Sequence, residues 1–496
     1  MHHKNIKLIV KKQLKEQYPH WKRLRRKKKK AIAKKVTAEV ITLYDFNKPI
    51  TDPIEELLGI EEQMPTPGMM NLEEMAKYID RFNRSKLIKI SSHCRHPSYI
   101  RDEELRVIDN LLDDLIINDL LSYRGYTPSM REILLNNLFR AELLKALKYP
   151  EISYRKFCDK EYMGKDRKQN RAFIGLPLNS SSIIDHTQLS KFRSSLTFTQ
   201  MVNLTVYILY HFYQQGFLGD CILHGVDSTE LANECKRPLV SIKIAGQKIR
   251  IYEDLDCDCG KRRDKRDKSP YVIGYRMHTL TAINAQTGHS YPLVSLLAPA
   301  NHHDSNFLKP LVALAQAIGI EVKLITADEG YNDSDGSFYK ETGVHLITPA
   351  SSKVCVPEHV DPETMEVFYN EFCEIPMQHI GCEEQHEFRC GASPGECPLS
   401  GKCPQCRLIP IDSGFFQRIP YETENVSEAL EIRKNAERPF NLLKNREGLE
   451  KVRARSQHTL LARCTFTTIA TILLEITGTR RKEKSINRQI PLFANA

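Results

Sequence analysis

At Leu218 the periodicity of the chain changes, and this change restricts the available folds more than any other feature. From Asn71 to Phe217 apolar residues recur three and four positions apart, as in "DEELRVIDNLLDDLIINDLL" and "REILLNNLFRAELLKAL". That spacing keeps one face of a helix apolar, and Pro150 closes the second run. Beyond Leu218, short apolar runs take over. "CILHGVDST" reads as a buried strand with Asp227 at its carboxyl end, and "EVKLITADEGYN" as another with Asp328 one step past it. Between them "YVIGYRMHTLTAI" and "SYPLVSLLAPA" read as a hairpin turned at residues 285–288, and "FLKPLVALAQAIGI" as a helix; "VHLITPA" is a further strand. An all-helical part followed by an α/β part is therefore expected.

At 496 residues the chain exceeds one ordinary core, and 41% hydrophobic with 27% charged residues is a soluble, globular composition. No run of eighteen consecutive apolar residues occurs, so no membrane span is expected, and the basic start lacks the apolar stretch of a secretory signal. A cytoplasmic location follows as the expectation.

The net charge of +10 is uneven. Met1 to Lys35 holds fifteen Lys and Arg against the single acid Glu16, which is +14 and leaves about −4 for the remainder. A basic arm on a near-neutral body fits a polyanion such as nucleic acid, or else a solubilising tail. Within "WKRLRRKKKKAIAKK", Lys22, Arg23, Arg25 and Arg26 are the candidate phosphate contacts.

Asp227 and Asp328 each follow an apolar run, and neighbouring strands of one sheet could bring their ends together. Glu437, on a later helix, could lean across the same edge. Three carboxylates suit hard divalent ions such as Mg2+ or Mn2+, and two such ions about 3.5–4 Å apart serve phosphoryl transfer. With 62 acids in the chain, some follow strands by chance, so the pattern alone leaves a structural reading open. Glu329, Asp333 and Asp335 read as loop acids, and Asp304, after His302 and His303, reads as a helix cap.

Several motifs in order resemble the bacterial insertion-sequence transposases of the DDE class. "HGVDST" at 224–229 is similar to the family's first-Asp strand, "ITADEGYND" at 325–333 to its second, and "RKNAERPFNLLK" at 433–444 to its third, with Arg433, Glu437 and Lys444 at the family spacings. The family's Tyr three positions before that Arg is replaced by Leu430. "LKYPEISYRKFCDKEYMG" and "DHTQLSKFRSSL" resemble its helical amino-terminal domain. The resemblance implies an RNase H-like mixed sheet flanked by helices, with two metal ions held by Asp227, Asp328 and Glu437. Arg433 and Lys444 would contact DNA phosphate. It also implies duplex DNA as partner, both element terminal inverted repeats and target, with a homodimer at synapsis. Recognition of element ends would fall to the helical part, where Arg155, Lys156, Lys191 and Arg193 supply cations.

The implied organisation is a basic helical arm (1–45), a linker (46–75) and a helical DNA-binding domain (76–217). The catalytic domain follows in two parts (218–350 and 422–478) around a cysteine-rich insertion (351–421), and a basic tail (479–496) ends the chain.

Seven of the fourteen cysteines lie between Cys355 and Cys406. Cys390, Cys397, Cys403 and Cys406, with Cys382 and His386 just before, have the types and spacings of a structural zinc site; spare reduced thiols are the alternative. "GECPLSGKC" is one residue too long for a phosphate-binding loop and has Cys403 where Ser or Thr belongs, so no nucleotide cofactor is expected. Two further functions fit the sequence less fully: a catalytically silent, transposase-derived DNA-binding protein, and a zinc protein for RNA or protein contacts.

Overall fold

The computed structural model describes residues 2–43, 60, 63–84, 96–122, 133–181, 183–218, 223–235, 237–244, 247–261, 270–284, 289–331, 337–349, 358–361, 366–382, 385–393, 395–398, 406–410, 433–435, 438–441, 443, 449 and 456–477. The helical part runs through α1 (His2–Gln17), α2 (Arg26–Leu43), α3 (Leu72–Arg84), α4 (Glu103–Leu111), α5 (Asp114–Leu121), α6 (Leu135–Lys148), α7 (Tyr154–Phe157), α8 (Lys160–Met163), α9 (Lys168–Ile174), α10 (His186–Ser195) and α11 (Phe198–Gln214). Their starts are written locally. Asp102, Asp113, Ser153, Asp185 and Thr197 each accept a first-turn amide, which removes an orphan donor. Gln188 and Gln200 return the bond in α10 and α11 and complete capping boxes.

Charged residues inside this part are spent on packing. Arg140 of α6 is buried and donates to Asp109 at 2.7 Å and Asp114 at 2.6 Å. Glu142, two residues further along α6, accepts from Arg193 and from Tyr154 Oη. Arg193 was expected to offer its charge to DNA; it is instead buried against Glu142 and stacked over the Tyr154 ring at 4.0 Å. Arg155 and Lys191 are exposed.

The sheet part comprises β1 (Leu223–Ala232), β2 (Val240–Ile244), β3 (Gln247–Ile251), β4 (Asp258–Lys261), β5 (Tyr271–Ile283), β6 (Ser290–Pro299), β7 (Leu324–Ala327) and β8 (His345–Ile347), with α12 (Leu308–Ala317) and α13 (Ser337–Thr342). The central sheet runs β4-β5-β1-β7-β8, with β6 also on β5. The β1, β5 and β6 neighbours are antiparallel, whereas β7 and β8 are parallel to β1. The expected hairpin of β5 and β6 is present. Strands β9 (Met377–Cys382), β10 (Gln385–Cys390) and β11 (Cys406–Pro410) make a separate sheet, and α14 (Arg438–Asn441) and α15 (Gln457–Ile476) close the described chain.

One continuous apolar core unites the two parts, because α15 packs at once on β6 and on α6, α10 and α11. By length and composition α15 could cross a membrane, but 78% of its apolar window is buried inside the protein, as suits a core helix. The segment before α3 is also tied in: Gln63 exchanges two 2.8 Å bonds with the backbone of Leu297 on β6.

A second, smaller core lies apart. Ile6, Val10 and Leu14 of α1, Trp21, and Ala33, Val36 and Val40 of α2 bury against Leu239, Val240, Ile249, Ile251 and Leu255. Thus the basic amino-terminal segment is docked on the β2–β3 hairpin. Its cations meet the acids that follow that hairpin: Lys7 binds Asp258, Lys15 lies 2.7 Å from Asp256, and Lys29 lies 3.1 Å from Glu253. Trp21 Nε1 donates to Glu253 O at 2.9 Å.

Candidate active site

The parallel pairing of β1 with β7 runs from Leu223–Leu324 to Val226–Ala327. Asp227 and Asp328 are the next residues on their respective chains, so they occupy the same register step. Strands stand about 4.8 Å apart, which makes the two acids lateral neighbours. In one respect the sequence reading is corrected. Asp227 does not end its strand but is the fifth residue of a ten-residue β1, because the long β5 keeps pairing with it as far as Ala232–Gly274. Only the parallel partner stops. Gly274 is needed at that closing pair, since a Cβ there would stand 2.1 Å from Leu231 O.

The rung continues beyond Asp227. Thr279 of β5 is its antiparallel partner, and Ser295 of β6 is the partner of Thr279, with the two hydroxyls 2.9 Å apart. Opposed residues share a face of a sheet, so a polar row of Ser295, Thr279 and Asp227 leads toward Asp328. Both carboxylates are partly exposed. Each has one oxygen held by a backbone amide, Asp227 Oδ1 by Ser228 N at 2.7 Å and Asp328 Oδ1 by Gly330 N at 2.9 Å. Oriented, partly exposed carboxylate oxygens are the donor type that hard divalent cations take. Among the described residues no group of three or more His, Cys, Asp or Glu is placed to hold a metal ion.

Behind this row lies a set of residues the sequence reading did not single out. The neighbouring pair Ser228–His278 points to the opposite face. There the buried Tyr331 hydroxyl meets His278 Nδ1 at 2.8 Å and also bonds Ser228. His278 stacks on Phe307 at 4.0 Å. Burial, reinforced by the charges of Asp304, Asp227 and Asp328, holds the Tyr331 phenol well above its ordinary range, so it stays protonated. Tyr331 also ends the short 3-10 turn that begins after Asp328, with its amide donating to Asp328 O at 3.0 Å. The Gly-Tyr pair following Asp328 was the available signal.

Asp304 is not the cap expected of it. The N-cap is His303, whose ring accepts from Ser305 N, while Asp304 is buried and takes Arg276 Nη1 at 2.8 Å. This pair fastens β5 to the start of α12. Glu329 is exposed, as expected of a loop acid, and Asp333 and Asp335 lie outside the described residues.

Of the third motif, residues 433–435 are helical and Arg433 is partly exposed; Glu437 and Lys444 lie outside the described residues. α14, which starts at the residue after Glu437, packs on β6, the strand that carries Ser295.

Cys390 and Cys406 stand at one end of the small sheet, since Arg389 pairs with Cys406 and Cys390 with Met377. His386 pairs with Cys382 at the other end, four residues and about 13 Å along the strand. A zinc ion could not take His386 together with Cys390. Cys390, Cys397 and Cys406 form no metal-holding group of three with other described residues, and Cys403 lies outside the described residues. Cys390 and Cys406 are free thiols. Burial and the neighbouring His379, 3.3 Å away, push the His386 pKa down to about 4.

Of the amino-terminal cations, Lys22, Arg23 and Arg25 are exposed, and Arg26 lies 3.7 Å from Glu253.

A central strand flanked by an antiparallel hairpin on one side and two parallel strands on the other is the RNase H-like arrangement, and here one aspartate lies on the central strand and the other just past the end of its parallel neighbour. Residues 241–473 match the family model of the transposase DDE domain. That stretch, just under half of the chain, is thus similar to a transposase DDE domain. The matched stretch includes Asp328 and Glu437 and begins after Asp227. A solved piggyBac transposase synaptic complex with hairpin DNA is similar at 9% identity, covering 82% of this chain and 80% of that chain, with a TM-score of 0.32. No curated protein matches the sequence.

Proposed function

We propose that this protein cleaves phosphodiester bonds at the ends of a bacterial insertion sequence and joins the freed 3′-OH ends to target DNA. Asp227, Asp328 and Glu437 would hold two Mg2+ or Mn2+ ions, which when bound activate the attacking oxygen and stabilise the leaving one. The observation that carries this reading is the shared register step of Asp227 and Asp328. The packing of α14 on β6 supports it, because β6 is two strands, or about 10 Å, from β1. The chain's own groups orient the acids: the amides of Ser228 and Gly330 fix one oxygen of each, and Tyr331 anchors the turn after Asp328.

Arg433 and Lys444 would bind phosphate beside the reacting bond, Arg as a fork and Lys as a point charge. Lys22, Arg23 and Arg25 would hold flanking duplex, with Arg26 shared between DNA and Glu253. Element inverted repeats and target DNA are the substrates, a homodimer pairs the ends, and the protein works in the cytoplasm at the nucleoid.

The test is magnesium-dependent nicking of duplex carrying the element's ends by full-length protein and by Asp227→Asn. Cleavage should vanish in the variant while end binding persists. Cleavage by the variant at the wild-type rate would remove Asp227 from the mechanism, and a wild-type protein that binds without cutting would be the silent derivative.

A further inference from the structure

The β2–β3 hairpin has two unlike faces. Val240 pairs with Ile251 and Ile242 with Ile249, and this face is covered by α1 and α2. Ser241 pairs with Arg250 and Lys243 with Lys248, and these residues alternate to the other face. Ser241, Lys243 and Lys248 are exposed and Arg250 partly so. Lys243 and Lys248 stand directly opposite each other, a like-charge pair that destabilises a hairpin unless an anion lies across it. No acid pairs with Lys243, Lys248 or Arg250 among the described residues, whereas Glu253, Asp256 and Asp258 just downstream are already engaged by Lys29, Lys15 and Lys7. Acids therefore face inward to the helices, and cations face outward.

An isolated two-stranded hairpin is marginal in water. This one is stabilised by a dedicated apolar core of its own, which is costly structure for a loop between β1 and β5. A protein partner would need an apolar or aromatic centre on the exposed face, and the described residues of that face are one Ser, two Lys and one Arg. A phosphate backbone needs only the cations, and a two-stranded ribbon has the width the DNA major groove admits.

We propose that the outward face of the β2–β3 ribbon, through Lys243, Lys248 and Arg250, binds the phosphate backbone of duplex DNA, and that α1 and α2 serve to brace it. This rests on the reading of the chain as a protein acting on DNA. It assigns a contact surface on the segment that directly follows the Asp227 strand.

The test measures the affinity of full-length protein for duplex DNA across a salt series, for wild type, K243Q/K248Q and R250Q, with melting of each and magnesium-dependent nicking by wild type. Each phosphate contact contributes about 0.9 to the slope of log affinity against log salt. The double variant should lose roughly two from that slope and bind about tenfold or more weaker at moderate salt, and R250Q should lose roughly one. Melting should not fall, because like-charge repulsion is relieved. Were the double variant to melt early, R250Q alone decides. Slopes equal to wild type would overturn the ribbon proposal even if nicking is intact. A reduced slope with no nicking by wild type would uphold the ribbon and sink the transposase reading.

Discussion

Asp227 and Asp328, 101 positions apart in the chain, sit at one register step of two parallel strands, immediately past the pair Val226–Ala327. What brings them together is four buried rungs of strand, Leu223 to Val226 against Leu324 to Ala327. Two carboxylates at strand spacing repel unless a cation or proton lies between them, and this is the electrostatic basis for expecting a divalent ion at that place.

Tyr331→Phe should weaken both stability and cleavage. The change removes one partner from His278 Nδ1 and from Ser228 in a buried site, at a cost of about 1–3 kcal/mol. Because Tyr331 pins the turn that follows Asp328, slight displacement of that carboxylate should lower nicking by about 10- to 100-fold. Melting and single-turnover nicking measured together check this; a variant equal to wild type in both would leave Tyr331 without a positioning role.

Arg276→Met should be among the more destabilising single changes in the sheet. Arg276 is buried, bonds Asp304 at 2.8 Å, lies 3.6 Å from Glu230 and donates to Lys261 O at 3.0 Å. Losing it removes the Arg276 charge from the buried Asp304 carboxylate, for a penalty of about 3–5 kcal/mol. The double variant Arg276→Met with Asp304→Leu should recover part of that loss. Denaturant midpoints give the comparison, and a double variant no better than the single would assign the loss to packing instead of charge.

Lys145 predicts an alkaline stability window. Burial lowers its pKa from 10.5 to about 8, against the partial opposition of Glu142, with Arg193 and Arg463 adding to the depression. The unfolded chain then binds more protons than the folded one between pH 8 and 10.5, so stability rises with pH through that window. The gain is on the order of 3 kcal/mol. Lys145→Met should flatten this rise relative to wild type. Parallel pH–stability curves for the two proteins would show no difference if the ammonium were well solvated in the folded state.

The elements with strong local signals were legible. The β5–β6 hairpin, the α12 helix and the strand before Asp328 all follow from residues within a few positions of each other. β2 and β3 carried a readable signal too, the alternation of Val240, Ile242 and Ile244 with Ser241 and Lys243, but the sequence reading passed over it. Arg193 was misread because its partner Glu142 is 51 positions away and nothing local marks it as buried.

From the sequence alone came the residue types, their order and the motif spacings: an all-helical part before an α/β part, two aspartates following apolar runs, and a basic amino-terminal segment. Only the tertiary structure decided that β1 continues past Asp227, that Asp227 and Asp328 share a rung, and that Lys7 spends its charge on Asp258, 251 positions away. The physical reason is range. Caps, turns and periodicity are settled within a turn or two of chain, whereas strand register and the pairing of buried charges depend on which distant segments the hydrophobic core draws together.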